Sequence, residues 1–440
     1  MSVIESIDSL LTANYPPDGP GAAVIVVKDG KVLHRKGYGL ANMELDVPAL
    51  PETVFKVGSV TKQFTAVSIL MLAEEGKLAL SDAIENILPD YPTHGHRITI
   101  EHLLTHTSGI KSYTSLPEWP ATFGKDYAVA ELIESFKYKP MDFAPGTRYA
   151  YNNSAYFLLG AIIAKLSGGT YEEFLQRRIF DPLGMSHTYG YTAQRLIPRR
   201  ASGYNKDKVG YANCPYLSMT HPGGAGVLSS TVDDLALWDA SLYTDRLVKP
   251  ASLAQAWTPF TLKDGSSTYY GYGWAIEDYA GLNWLRHDGG IHGFVCTVIR
   301  IPQERFFAAV LSNNTGADKT TEELAFRIIL PNLGQQIVEP QPIGLSPAAL
   351  ERLEGVYEVP PGEVHLFQVK DGKLFHCMPE YQFEEQLFPI SENECFPKGN
   401  VFYRMRFIRD EPGVVTACEV VNPYGRVIDT ARKTEKPLPE

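Results

Sequence analysis

The strongest constraint on folding lies between Val60 and Glu75, where the run Phe64-Thr65-Ala66-Val67-Ser68-Ile69-Leu70-Met71-Leu72-Ala73 is apolar on nearly every side. A helix without a polar face belongs inside a protein, surrounded by other elements. Gly76 is well placed to end it. A helix buried on all sides needs a large enclosing body, and 440 residues leave room for two or three domains of about 150 residues. At 44% hydrophobic and 21% charged, the chain has the composition of an ordinary folded protein.

The surrounding elements can be read in order. Ala22–Lys28 and Lys31–Tyr38 form a hairpin across Asp29-Gly30, a strong two-residue turn signal. A second apolar helix runs from Ser154 to Leu166 and closes at Gly168-Gly169. A third opens at Thr231, with Asp234 completing a capping box, and runs to Leu242. Asn283–Arg286, Phe294–Ile301 and Phe306–Ser312 read as antiparallel strands, followed by a helix over Thr321–Leu330. A hairpin, a helical middle, more strands and a last helix make an α+β layout in which distant strands share one sheet.

The composition then shifts. Pro340, Pro342 and Pro347 punctuate a stretch without periodicity, so residues 1–335 read as one domain and 336–347 as a linker. Within 348–440, Glu354–Val359, Glu363–Lys370, Lys373–Met378, Val401–Arg409, Val414–Val421 and Arg426–Ala431 are short strands without helices, the pattern of a small antiparallel barrel.

With 40 basic and 51 acidic residues the chain carries −11, which argues against a general nucleic-acid binder. No run approaches the ~18 apolar residues of a membrane helix, and the start of the chain lacks the basic and apolar regions of a signal peptide. Cys214, Cys296, Cys377, Cys395 and Cys418 are odd in number and widely spaced, which predicts neither a disulfide framework nor a zinc site. The expected setting is the cytoplasm.

The chemistry concentrates in three short stretches. In Ser59-Val60-Thr61-Lys62 the serine and lysine are three apart and share a helix face. A serine becomes a nucleophile when a neighbouring base takes its proton. For a lysine to do so near pH 7, its pKa must fall by about three pH units, or about 4 kcal/mol. Lys62, one turn into an apolar helix, can be desolvated, whereas Lys111 of Ser108-Gly109-Ile110-Lys111 follows a polar turn. The competing reading is that Ser59 caps its helix while Lys62 pairs with a carboxylate. Tyr151-Asn152-Asn153 leads into the second apolar helix, and a Tyr there can move protons while an Asn holds an amine. A surface turn with an Asn cap is the competing reading, and Tyr211-Ala212-Asn213 repeats the pattern. His287-Asp288-Gly289-Gly290 closes the strand Asn283–Arg286, and backbone N–H groups at such glycines can stabilise an oxyanion. His221-Pro222-Gly223-Gly224 is a similar match in a loop setting, and an ordinary edge-strand histidine is the competing reading for His287.

Taken in this order, the three stretches resemble the penicillin-recognising serine hydrolases, which carry S-x-x-K, Y-x-N and a K-T-G or H-x-G box. They are most similar to the branch with class C β-lactamases, D-aminopeptidases, D-alanyl-D-alanine carboxypeptidases and esterases. Ile98–Ile110, Pro145–Gly160 and Gly223–Trp238 extend the resemblance, which covers residues 5–335. It implies a β-lactamase/transpeptidase-like sheet flanked by helices, with an all-helical region. The last domain is similar in outline to small lipocalin-like barrels. The resemblance makes Ser59 the acylated nucleophile, Lys62 and Tyr151 the proton-transfer pair, and Asn153 the group orienting lysine and substrate. His287 stands where many relatives have lysine, and the N–H groups of Ser59 and Gly290 would form the oxyanion hole.

Two proton inventories fit: a neutral Lys62 as base, or a charged Lys62 lowering the pKa of Tyr151. A mostly neutral histidine at 287 and the missing export signal weaken β-lactamase and D-alanyl-D-alanine carboxypeptidase readings. They favour an esterase or a hydrolase of D-residue amides and peptides acting on a small molecule. No cofactor, metal, nucleic acid or membrane is implied, and a homo-oligomer is compatible. The rivals are a non-catalytic binding protein on the same fold and a metal protein using His94, His96, His102 and His106, although the sequence has no H-E-x-x-H. Tyr113, Trp119, Tyr204, Tyr216 and Trp274 could line a cleft, with ordinary packing the stronger reading for each.

Overall fold

Asp29 and Gly30 adopt positive φ (50° and 73°), the two-residue turn that joins β1 (Ala22–Lys28) to β2 (Lys31–Tyr38). In the computed structural model this hairpin completes a sheet whose other strands begin only at Ala275, far along the chain. These are β3 (Ala275–Tyr279), β4 (Leu282–Ile291), β5 (Phe294–Ile301) and β6 (Phe306–Ser312). The antiparallel order is β3-β4-β5-β6-β1-β2, with β1 and β6 in register from Ala22↔Ser312 to Lys28↔Phe306. The structure describes residues 3–190, 192–207, 210–359, 363–379, 383–411 and 413–438. The chain divides into two compact units, Met1–Gly316 and Ala317–Glu440.

One strand departs from expectation. β4 continues through Ile291, so His287 lies inside a strand and does not close one. Gly289 and Gly290 stay paired with Cys296 and Val295 of β5.

The first unit also contains α1 (Val3–Asn14), α2 (Thr61–Glu74), α3 (Ile100–Leu104), α4 (Asn153–Ser167) and α5 (Val232–Ser241). Every residue of α2 from Thr61 to Leu72 is buried, as its all-round apolar face requires. Phe64 stacks on Trp238 of α5 with ring centroids 4.1 Å apart. Gly168 caps α4 in the left-handed conformation. Thr231 caps α5, but the expected capping box does not form: the Asp234 carboxylate accepts instead from His187 N and Thr188 Oγ1, both at 2.8 Å. Asp239 on α5 holds Arg300 on β5 at 2.8 Å, with both side chains buried.

In the second unit α6 (Thr321–Asn332) places Glu322 and Glu323 on Asn400 and on the backbone N–H of Val401. Eight strands form a closed barrel: β7 (Gly355–Val359), β8 (Glu363–Lys370), β9 (Lys373–Met378), β10 (Phe383–Pro389), β11 (Glu394–Pro397), β12 (Arg404–Arg409), β13 (Val415–Val421) and β14 (Val427–Lys433). β10 and β11 have no counterpart in the sequence reading. The first is half polar and largely unburied, and the second is four residues long, so neither shows alternation of its own. Closure pairs Tyr357 with Lys433, and Tyr357, Phe367, Leu374, Met405 and Phe407 share the barrel's core. All five cysteines are free, and among the described residues no helix is long and apolar enough to cross a membrane.

The Asp239–Arg300 pair sets a stability prediction. Asp239→Ala leaves a buried guanidinium without its counter-charge and is expected to destabilise the first unit by about 3–5 kcal/mol. Urea unfolding followed by tryptophan fluorescence measures it directly, because all five tryptophans lie in that unit.

Candidate active site

Ser59 sits on a 3₁₀ turn, Gly58–Val60, that runs straight into α2. Gly58 has φ +48°, and a Cβ there would lie 3.1 Å from Gly290 O and 3.2 Å from Gly290 N, so this turn presses directly on β4. On its other side Val57 N donates to Leu228 O at 3.0 Å, and Leu228 N donates to Thr61 Oγ1 at 3.1 Å. The cap positions of the turn and of α2 are Val57 and Val60, so Ser59 is not a helix cap. Its hydroxyl faces Lys62 and Tyr151.

Lys62 is fully buried, and among the described residues no carboxylate pairs with it. Its Nζ lies 3.1 Å from Ser59 Oγ, 2.9 Å from Asn153 Oδ1 and 2.8 Å from Ala225 O. Two of these partners are carbonyl oxygens, which only accept, so two N–H bonds go to them. A neutral amine then turns its lone pair toward the one partner that can donate, the Ser59 O–H. Burial pushes the amine well below the ordinary lysine range, which favours the neutral form.

Asn152 caps α4, its side chain accepting from Ala155 N at 2.9 Å, and this frees Asn153, the first residue of the helix, to face the lysine. The Asn153 amide donates to Thr114 Oγ1 at 3.1 Å, which fixes its oxygen toward Lys62. The cap reading and the site reading thus both hold, on adjacent asparagines. Tyr151 bonds Ser59 through its hydroxyl and lies under the Lys62 ammonium position, 4.7 Å from ring centroid to Nζ. Desolvation raises its phenol far above the ordinary value, although the residue keeps 41% of its surface open at the rim.

The segment carrying Tyr151 is clamped by the stretch that follows α3. His106 O accepts from Ala150 N at 3.0 Å, and His106 Nδ1 accepts from Asn152 N at 3.0 Å. Asn152 Nδ2 donates to Ile110 O, and Ser112 Oγ accepts from Asn153 N at 3.3 Å. The His106 ring packs 4.4 Å from that of Tyr151, and burial beside Lys62 and His287 keeps it uncharged. His106, Ser112, Thr114 and Ala225 were not assigned to the site from sequence. Three contribute through backbone or hydroxyl groups that carry no pattern, and His106 stood among four histidines in metal-like spacing.

His287 lies on the inner face of β4 with Gly289. Its Nδ1–H donates to Asp288 O at 2.7 Å, so Nε2 accepts from the Tyr270 hydroxyl at 2.9 Å. Burial, reinforced by Lys62, lowers its pKa to about 3. The two glycines beyond it differ sharply. A Cβ on Gly289 would lie 2.1 Å from Val57 O and 2.5 Å from Cys296 Sγ, whereas one on Gly290 would meet nothing within 4 Å. Gly290 therefore has open space on this side, next to the Ser59 turn.

The structure brings Ser59, Lys62, Tyr151, Asn153, His287 and Gly290 together. It leaves the look-alikes elsewhere. Lys111 pairs with Asp142 at 3.0 Å, Tyr211-Ala212-Asn213 forms one arm of a hairpin, and His221 bonds Lys125 O at 2.9 Å. His102 caps α3 with Thr99, and among the described residues no group of three or more His, Cys, Asp or Glu is placed to hold a metal ion. Trp274, Tyr113 and Tyr204 are packed in the interior.

The beta-lactamase family model matches residues 15–331. The chain belongs to the beta-lactamase family. It is similar to "Penicillin-binding protein 4*" of Bacillus subtilis (28% identity, 85% of this chain and 87% of that protein) and to a D-aminopeptidase of Gluconobacter oxydans (29% identity, 80% and 67%). Among solved structures it is similar to the octameric penicillin-binding protein homologue from Pyrococcus abyssi, with TM-score 0.69 and 26% identity over 98% of this chain and 100% of that one. This beta-lactamase-family chain is a serine hydrolase.

Two predictions follow from the geometry of β4. Gly289→Ala forces β4 away from Val57 and is expected to lower the rate of serine acylation at least ~10-fold, whereas Gly290→Ala folds normally; labelling rates and melting curves of the pair test this. The second concerns pH. His287 binds fewer protons folded than unfolded between pH about 3 and its ordinary 6.5, so stability falls as pH drops through that window. From pH 7 to pH 5 the wild type is expected to lose about 2 kcal/mol more than His287→Gln in urea titrations.

Proposed function

We propose that this enzyme hydrolyses small amides, peptides with D-residues or short-chain esters through an acyl group on Ser59. The observation that carries the reading is a fully buried Lys62 amine without a counter-charge, 3.1 Å from Ser59 Oγ and donating to two carbonyls. Ser59 Oγ attacks the substrate carbonyl carbon as its proton passes to Lys62 Nζ, and the N–H groups of Ser59 and Gly290 donate to the oxyanion. The tetrahedral intermediate collapses, and the leaving amine or alkoxide takes a proton from Tyr151, which Lys62 re-protonates. A water then attacks the acyl-enzyme, its proton goes to the same pair, and Ser59 is restored. Asn153 keeps Lys62 in line. Of the two proton inventories, the neutral lysine is favoured by the burial of Nζ without a counter-charge, which lowers its pKa.

The substrate class rests on two supports. The relatives above include a D-aminopeptidase. His287 is neutral and has both ring nitrogens engaged, so it offers no fixed positive charge to a substrate carboxylate, unlike the lysine of many relatives. Residues 1–335 form the catalytic domain in this reading, in keeping with the family match, and 348–440 an accessory barrel. A homo-oligomer belongs to the same reading, supported by the likeness to the octameric homologue from Pyrococcus abyssi, and sedimentation analysis reads that state directly.

Intact-mass detection of fluorophosphonate labelling tests the nucleophile: wild type gains one adduct and Ser59→Ala none, and equal labelling of both would refute the assignment. Lys62→Met is expected to slow acylation by about 10²–10⁴-fold. A panel of p-nitrophenyl esters, D- and L-amino-acid amides and nitrocefin ranks the substrates, with nitrocefin expected last.

A further inference from the structure

We propose that a cavity in the first unit, apart from the catalytic residues, binds a small organic cation, an ammonium group carried on an apolar or aryl body. The cavity has a volume of about 450 Å³, within the range of sites that enclose small ligands. It lies between α4, the segment 169–172 and the loop 216–224, and Ser59, Lys62, Tyr151, Asn153 and His287 do not line it. The inference does not depend on the reading of the active site.

Charge decides the class of ligand. Asp126 and Glu172 are the charged residues among those lining the cavity, which include no Lys, Arg or His. Glu172 packs along β-strand backbone, since a Cβ on Gly190 would meet its Cγ at 2.3 Å. Among the described residues it has no ion-pair partner, and burial raises its pKa. Asp126 accepts from Ser218 Oγ, which lies beneath it. An anion entering this space would meet two carboxylates. A neutral apolar molecule would strip more water from Glu172 and return nothing. An ammonium compensates the carboxylate, and the tyrosine rings add a second attraction through their π faces. Lys125 already occupies one face of Tyr127 at 4.1 Å, which leaves Tyr171 and Tyr216 for the ligand. Phe157, Ala161 and Ala164 supply the apolar wall for its body.

The cavity is wired to the helix that carries Lys62. Its wall residue Gly224 accepts from Thr65 Oγ1 at 2.6 Å, the next carbonyl, Ala225 O, accepts from Lys62 Nζ, and the Tyr171 hydroxyl bonds Thr65 Oγ1 at 2.6 Å.

Calorimetry on the full chain tests the proposal with benzyltrimethylammonium, benzyl alcohol and benzenesulfonate as probes. The cation is expected to bind one to one and at least ~10-fold tighter than the alcohol, with no heat from the sulfonate. Glu172→Gln should weaken the cation at least ~10-fold, and Ala164→Trp, which fills the cavity, should abolish binding. Ser59→Ala should leave it unchanged, which separates this site from the catalytic cleft. Unaltered far-ultraviolet circular dichroism and a cooperative melting transition show that each variant is folded. No heat from the cation, equal affinity for cation and alcohol, full affinity in Glu172→Gln, or loss of binding in Ser59→Ala would each overturn it.

Discussion

The first unit is organised around one amine that water cannot reach. Placing a charged ammonium in a dry interior is worth several kcal/mol against folding unless a carboxylate accompanies it, and none among the described residues accompanies Lys62. The neutral amine avoids that penalty and is the form a general base needs. The apolar character of α2 on all sides is therefore both a folding and a chemical requirement. The residues that bury the helix in the core also depress the pKa of the lysine on its first turn. A polar face on α2 would have let the helix lie at the surface and returned Lys62 to its ordinary charge.

A dry base is useful only if its partners are fixed around it, and backbone contacts do most of the fixing. Gly58 lets the Ser59 turn touch the backbone of Gly290, and Gly289 lets β4 reach Val57 O. The stretch after α3 then grips residues 150–153 through His106, Ile110, Ser112 and Thr114. Three segments from distant parts of the chain thereby meet at Ser59. Each carries one of the short motifs, which explains how stretches so weak in isolation define a site together.

The sequence made the periodic and the chemically marked parts legible. The β1–β2 hairpin appears at its observed bounds because Asp29-Gly30 signals its turn, and α2 appears because its apolar run admits few other structures. Ser59, Lys62, Tyr151, Asn153, His287 and Gly290 were singled out because their residue types and order are distinctive. What stayed hidden has no side-chain pattern. Ala225 contributes a carbonyl oxygen, Ser112 and Thr114 contribute hydroxyls, and the strands Phe383–Pro389 and Glu394–Pro397 owe their pairing to barrel closure. The end of the strand was set at Arg286 because the two glycines read as lying beyond it, open to a ligand, whereas close approach to Val57 is what demands at least the first of them.

The histidine at 287 changes how the lysine is tuned. A lysine at that position would lower the pKa of Lys62 by like-charge repulsion as well as by burial. Here His287 is neutral, and desolvation alone lowers the Lys62 pKa, so the exclusion of water must be complete. Lys62, His106 and His287 then form three bases in one dry volume. A proton on the lysine opposes protonation of either imidazole, and the effect is mutual. Such a cluster stores a proton poorly. In the proposed reaction the proton taken from Ser59 has no stable resting place on Lys62, and passing it through Tyr151 to the leaving group relieves the buried charge. The neutrality that removes a carboxylate anchor from the cleft thus also drives the proton onward to the group that must depart.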